Sequence, residues 1–460
     1  MSLFLKIKFV FPPSLCFYFL FISCLHAQTR YSGKEAERSN ALKAHKNNNT
    51  KDSIYPKFKS EMEQLAEASD ISKALSLIRE YDDQTIENQI KLTKMEAPSF
   101  KEHKFSKPKL FAGLLKEYGA DSVWTDSVGN VIALRKGTKR EKVLAVAGHM
   151  DTVFPEGTDV KVTRSNDTLY APGIADDNRG LTTVLTIFRV LNKCDIQTKS
   201  DILFIGDVGE EGLGDLRGMK YLFRQGGPRI DAFISIEPGG VSQVINGALG
   251  SHRYKIIFKG PGGHSWGNFG LANPVHAIGQ AITTFVKNPD RYISDGIKTS
   301  YNVGKIGGGT SINSVPFSAW MEVDMRSLNQ KRLTEIDTLF HHAVKFGLDQ
   351  QNNIRRSGPP LTVDIEMVGN RPSGHTDSGT PLVQRAMAAS KYLGENPHLT
   401  TISTDSNIPI SKGIPAVTLG GGGESGKSHS LHEWFLNKEG YKGIQKVFLV
   451  VAAQAGAVTE

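Results

Sequence analysis

The sequence predicts an α/β fold, a mostly parallel sheet with covering helices, interrupted by a smaller α+β unit. Two observations predict it. Beyond residue 118, short apolar runs alternate with helix-like stretches, the pattern of strands joined by helical crossovers. Between about residues 251 and 368 the pattern shifts to alternating strands and two amphipathic helices, as in a compact unit inserted into the first.

Lys6 and Lys8 precede an apolar stretch over residues 9–25, broken by Pro12 and Pro13, and Ala27 offers a small residue before Gln28. This predicts a signal peptide over residues 1–27 and a secreted or periplasmic chain. A transmembrane anchor fits less well, because the stretch is short, proline-interrupted and followed at once by polar sequence. Lipid attachment at Cys24 is an alternative, since Phe21-Ile22-Ser23-Cys24 partly resembles a lipoprotein box. Cleavage after Ala27 removes Cys16 and Cys24, and Cys194 alone cannot form an intramolecular disulfide.

Residues 28–60 are rich in Lys, Asn and Ser and predict a flexible leader. Residues 61–250 and 369–460 are expected to form the two parts of the larger domain, around an inserted unit at 251–368. Residues 61–118 read as mostly helical. The clearest strands are 131–134, 143–147, 202–205, 232–236 and 416–419, with a helix over 181–191. In the insert, 253–258 and 318–324 alternate like half-buried strands, and 274–285 and 333–346 read as helices. The composition, 39% apolar and 22% charged, allows a sizeable core. The net charge is +8 and the basic residues are scattered, which argues against a nucleic-acid partner.

The reactive residues fall at strand ends. His149 and Asp151 follow 143–147, Glu210 and Glu211 follow 202–205, Glu237 follows 232–236, and His429 lies beyond 416–419. In open α/β sheets, ligand sites form beyond the carboxyl ends of the strands. Asp176 and Asp177 sit in a Gly-flanked loop just before a helix and can reach the same crevice. Each piece alone has a plainer reading: His-x-Asp as a surface pair, Asp176-Asp177 as a helix cap, Glu210-Glu211 as solvated loop charges, Glu237-Pro238 as a turn, His429 as an exposed side chain. Together they are harder to dismiss. Carboxylates collected in one crevice repel unless a cation neutralises them. Two His and several carboxylates suit zinc, with manganese or cobalt as alternatives. No cysteine lies among them, which argues against a closed structural zinc site.

The motifs Gly148-His-Met-Asp151, Gly173-Ile-Ala-Asp-Asp177, Gly209-Glu-Glu-Gly212, Ser235-Ile-Glu237 and His429-Ser-Leu-His-Glu433 together resemble the co-catalytic zinc exopeptidase and deacylase family. That family includes glutamate carboxypeptidase, succinyl-diaminopimelate desuccinylase, acetylornithine deacetylase and peptidase T. The resemblance runs over about residues 126–451. It implies a di-metal catalytic domain with an inserted lid and dimerisation domain, two divalent metal ions, a homodimer formed through the lid, and a small peptide or N-acyl amino acid as substrate. His149 and Glu237 are implied to bind one metal, Glu211 and His429 the other, and Asp176 both. Asp151 is implied to orient His149, and Glu210 to be the general base. In Gly262-Gly-His-Ser265, His264 is implied to stabilise the oxyanion, often across a dimer interface. Asn313 and Arg326 are implied to grip a substrate carboxylate. Asn178 departs from the family pattern, which usually has Lys there. Glu237 stands at a position where the choice of Asp or Glu can track substrate class.

Two rival functions are weaker. Gly421-Gly-Gly-Glu-Ser-Gly-Lys-Ser428 fits a phosphate-binding loop, but such a loop opens an apolar helix and His429 follows at once. A non-catalytic binding protein on the same fold gains no support, because every implied ligand is present.

Overall fold

The structure is a computed structural model and describes residues 53–287 and 297–459. The signal peptide, Cys24 and nearly all of the leader lie outside the described residues. The leader ends earlier than the sequence predicts, because the first helix, Pro56–Glu67, begins inside it. Proline at its first position suits a helix start, and Phe58, Met62 and Ala66 form a narrow buried stripe within a polar composition.

The central sheet has nine strands. Four neighbouring strands are parallel, in the order Asp201–Asp207, Val143–His149, Ala232–Glu237 and Ala416–Gly420. Antiparallel neighbours flank them, with Val131–Arg135 and Ser122–Thr125 on one side and Gln243–Ala248 on the other. The strand period of two divides each side-chain row between two cores. Leu144, Val146 and Phe204 face one core, closed by the helices Asn178–Lys193, Pro381–Tyr392 and Tyr441–Ala455. Ala145, Ala147 and Leu203 face the other, closed by the short helices Arg217–Leu222 and Asn407–Ser411. Burial on both faces explains why these strands read as continuous apolar runs. Among the described residues no helix is long and apolar enough to cross a membrane.

The inserted unit is a four-stranded antiparallel sheet, Thr299–Gly308, Ser318–Ser327, Gly250–Lys259 and Thr362–Arg371 in spatial order. Helices Pro274–Lys287 and Gln330–Ile354 cover one face, over Ile256, Phe258, Met321 and Val323. Its last strand runs past the 368 boundary expected from sequence, because pairing continues to Arg371 opposite Ser251. A second small sheet, Glu424–Gly426, Trp434–Leu436, Thr168–Tyr170 and Thr163–Ser165, anchors both ends of the loop that carries His429.

Candidate metal centre

His149 is the last residue of its strand and is buried. Its Nδ1–H donates to the Asp151 main-chain carbonyl at 3.0 Å. A carbonyl only accepts, so Nε2 is left as the coordinating nitrogen. That atom lies 3.1 Å from Asp176 Oδ1. The orienting group is therefore the Asp151 backbone rather than its carboxylate, which stands 3.8 Å away. The carboxylate accepts from Glu210 N at 3.0 Å, Glu211 N at 3.1 Å and Ser99 Oγ at 2.6 Å. Asp151 thus aims the imidazole with its carbonyl and the Glu210–Glu211 turn with its side chain.

The two aspartates of the Gly-flanked loop take different roles. Asp177 caps the following helix, accepting from Gly180 N at 2.8 Å, and also accepts from His149 N at 3.1 Å. Asp176 projects between the two imidazoles, with His429 Nε2 3.3 Å from its second oxygen. His429 Nε2 is also 3.0 Å from Glu211 Oε1. Asn178 is buried, and its amide donates to Gly173 O at 2.6 Å.

Three overlapping groups of ligand atoms result, each gathered within 4.8 Å: His149–Asp176–Glu237 and Asp176–Glu211–His429, which share Asp176, and His149–Glu210–Glu211 between them. Burial pushes the Glu237 carboxyl well above its ordinary range, and the nearby Asp177 and Asp176 push it further. Glu211 is raised by burial as well, with Asp176 and Glu210 adding to it. Burial also works to raise Asp176, but its bonds to both imidazoles hold it below the usual range. Bonds to Asp176 and Glu211 hold His429 up at about 10. Hard carboxylates and borderline imidazoles compressed in this way, without sulfur, fit a pair of divalent cations. Asp176, Glu211, Glu237 and His429 line a cavity of about 680 Å³ that also takes in Glu210 and Arg326.

Residues 145–453 match the family described as Peptidase family M20/M25/M40. The chain belongs to that family. It is accordingly a metal-dependent peptidase or amidohydrolase. The Bacillus subtilis protein YqjE is 26% identical over 347 residues, 74% of this chain and 89% of that protein. The aminopeptidase PepT from Bacillus cereus superposes with a TM-score of 0.64 at 22% identity, covering 80% of this chain and 98% of that one. Bacillus subtilis YXEP, described as a dinuclear metal-binding peptidase, superposes with a TM-score of 0.59 at 17% identity, covering 83% and 100%.

The residues implied for substrate binding do not all reach the cavity. Arg326 does, with Nε donating to Asp324 at 2.8 Å. His264 and Asn313 do not line it. They sit exposed on the ribbon where Gly263–His264 pairs with Ser314–Val315. His264 Nδ1 accepts from Trp266 N at 3.2 Å. Residues 421–428 make no phosphate loop. Instead, Glu424–Gly426 pairs as a strand with Trp434–Leu436, and no helix starts at Lys427. Positive φ at Gly422 and Gly423 turns the chain toward His429, itself left-handed at φ 64°.

Two buried residues escaped sequence reasoning. Glu433 accepts from the main-chain N–H groups of Gly173, Ala175 and Asp176, each at 2.9 Å, and so holds the Asp176 loop. Burial pushes its carboxyl up to about 7. Arg371 bonds Glu210 from the inserted unit. Glu433 closes the motif that begins at His429, which is a signal of a kind. Arg371 had none.

Proposed function

We propose that the chain is a zinc-dependent exopeptidase that cleaves small peptides, with Glu210 as general base, after secretion and removal of residues 1–27. The observation that carries this reading is Asp176, common to two ligand groups in a cavity that also holds Glu210 and Arg326. His149, Asp176 and Glu237 would hold one ion, and Asp176, Glu211 and His429 the other. Bound there, divalent cations would supply Lewis acidity, lowering the pKa of the attacking water and polarising the scissile carbonyl.

Glu210 takes the proton of the attacking water and returns it to the leaving amine. Its backbone N–H is fixed by Asp151. Arg326 pairs with the substrate carboxylate, exchanging its Asp324 partner for a second anion in the cavity. That recognition serves a C-terminal carboxylate and an N-acyl amino acid alike, so deacylation is the second reading. A screen of dipeptides, tripeptides and N-acyl amino acids separates the two. Faster turnover of N-acyl amino acids than of every peptide would overturn the exopeptidase reading.

His264 and Asn313 are proposed to act on a second copy of the chain, forming a homodimer through the lid. Their exposure away from the cavity supports this, as does an exposed apolar rim of Trp266, Phe269, Ile312 and Phe317 on the same unit. N-terminal sequencing of the exported protein tests the cleavage site. A chain beginning at Gln28 supports secretion, whereas a modified Cys24 would show a lipid anchor.

A further inference from the structure

We infer that Arg371 is a positioning residue for Glu210 and ties the lid sheet to the turn that carries the base. Arg371 ends the last lid strand, and its side chain is buried. Its Nη1 donates to Glu210 Oε1 at 2.8 Å and to Ser403 Oγ at 3.1 Å. Its Nη2 donates to the main-chain carbonyl of Glu210. One planar guanidinium therefore grips both the side chain and the backbone of the same residue, which fixes the carboxylate's rotamer as well as its place. On the opposite side, Asp151 Oδ1 accepts from Glu210 N at 3.0 Å. Glu210 is thus clamped between the central sheet and the lid, with Oε2 left for the proton.

The clamp is part of a wider seam. Arg253 Nη1 donates to Gly212 O at 2.9 Å, and Asn370 N donates to Asp215 Oδ1 at 2.9 Å. Arg253 and Arg371 lie on neighbouring lid strands, with Arg371 opposite Ser251 and Gly369 opposite Arg253. Two lid strands therefore hold the 210–215 segment at three points, and a shift of the lid moves the base with it. A buried guanidinium beside a buried carboxylate also offsets the cost of leaving either charge alone.

The inference rests on Glu210 being the base, and the experiment separates the two. Steady-state kinetics, metal content and thermal unfolding are measured on Arg371→Met, Arg371→Lys, Glu210→Gln and the double variant Arg371→Met/Glu210→Gln. Arg371→Met should lower kcat roughly 10²-fold while KM stays within about 3-fold. Arg371→Lys keeps the charge without the fork, and should fall between wild type and Arg371→Met. Because Arg371 acts through Glu210, the double variant should be no more than about 2-fold slower than Glu210→Gln. Near-wild-type kcat in Arg371→Met would overturn the inference. So would a raised KM at unchanged kcat, which would make Arg371 a substrate ligand, or multiplicative losses in the double variant, which would show an independent structural role. Should Arg371→Met not fold, wild-type kcat in Arg371→Lys would overturn the inference by itself. If Glu210→Gln alone keeps full turnover, the base assignment fails and this inference falls with it.

Discussion

The carboxyl edge of the central sheet and the His264 ribbon of the lid serve one proposed reaction, yet they are built differently. At the sheet edge every implied ligand is within reach of another, and Asp151, Asp177 and Glu433 fix the backbone around them. On the lid, His264 and Asn313 are solvent-exposed, and the side-chain bonds seen for them are local, such as those accepted from Trp266 N and Ser311 Oγ. The contrast has a physical origin. The parallel strands end level, with His149 opposite Asp207 and Gly420 opposite Glu237, so the residues at and beyond their ends emerge along one edge. A short two-residue ribbon has no such constraint, and its side chains find a site only where something else brings them to it.

The largest expected effect breaks the first half of the comparison. Chelation should abolish activity, and added zinc, cobalt or manganese should restore it; a metal-free chain with undiminished turnover would remove the sheet edge as the reactive region. Next, Glu210→Gln should lower kcat by about 10²–10⁴-fold while two metals remain bound, read by kinetics with metal analysis on the same sample. On the lid side, His264→Ala and Glu210→Gln proteins, each inactive alone, should recover about a quarter of wild-type activity when mixed as dimers. Confirmed mixed dimers that stay inactive would leave His264 with no role across an interface.

Smaller effects are read in stability. Glu433→Ala strands three main-chain donors, and should cost about 2–4 kcal/mol in denaturant unfolding of the metal-loaded protein. Equal stability would mean that the Asp176 loop holds itself. Lys446 is a buried charge remote from both regions, with Nζ donating to Gln243 O at 2.6 Å. Burial pushes its pKa down to about 7, from an ordinary value of 10.5. Above the folded value the unfolded chain binds the extra proton, so this residue makes stability rise with pH from about 7 toward 10. Lys446→Met should remove about 1–2 kcal/mol of the stability gained between about pH 7 and pH 9. An unchanged slope would show that the ammonium keeps its charge in the fold.

The same contrast explains what the sequence disclosed. His149, Glu211, Glu237 and His429 were legible because each follows an apolar run, and run length and ending are local properties. Asp176 and Asp177 were legible as a pair from the residues, and only the family resemblance singled out Asp176 as the shared ligand; the capping role of Asp177 depends on which carboxylate the helix end captures. Arg371 lies 161 residues from Glu210, and Glu433 lies 257 from Asp176. No local pattern encodes either contact, because each arises only when the lid or the His429 loop folds back. The start of the first helix was hidden for another reason: three buried residues in a polar segment leave a weak stripe.

The central claim is a two-metal centre that shares Asp176. Anomalous diffraction from crystals of the zinc-loaded protein tests it most directly. Two peaks should appear, one among His149, Asp176 and Glu237 and the other among Asp176, Glu211 and His429. A single peak, or zinc bound away from Asp176, would contradict it.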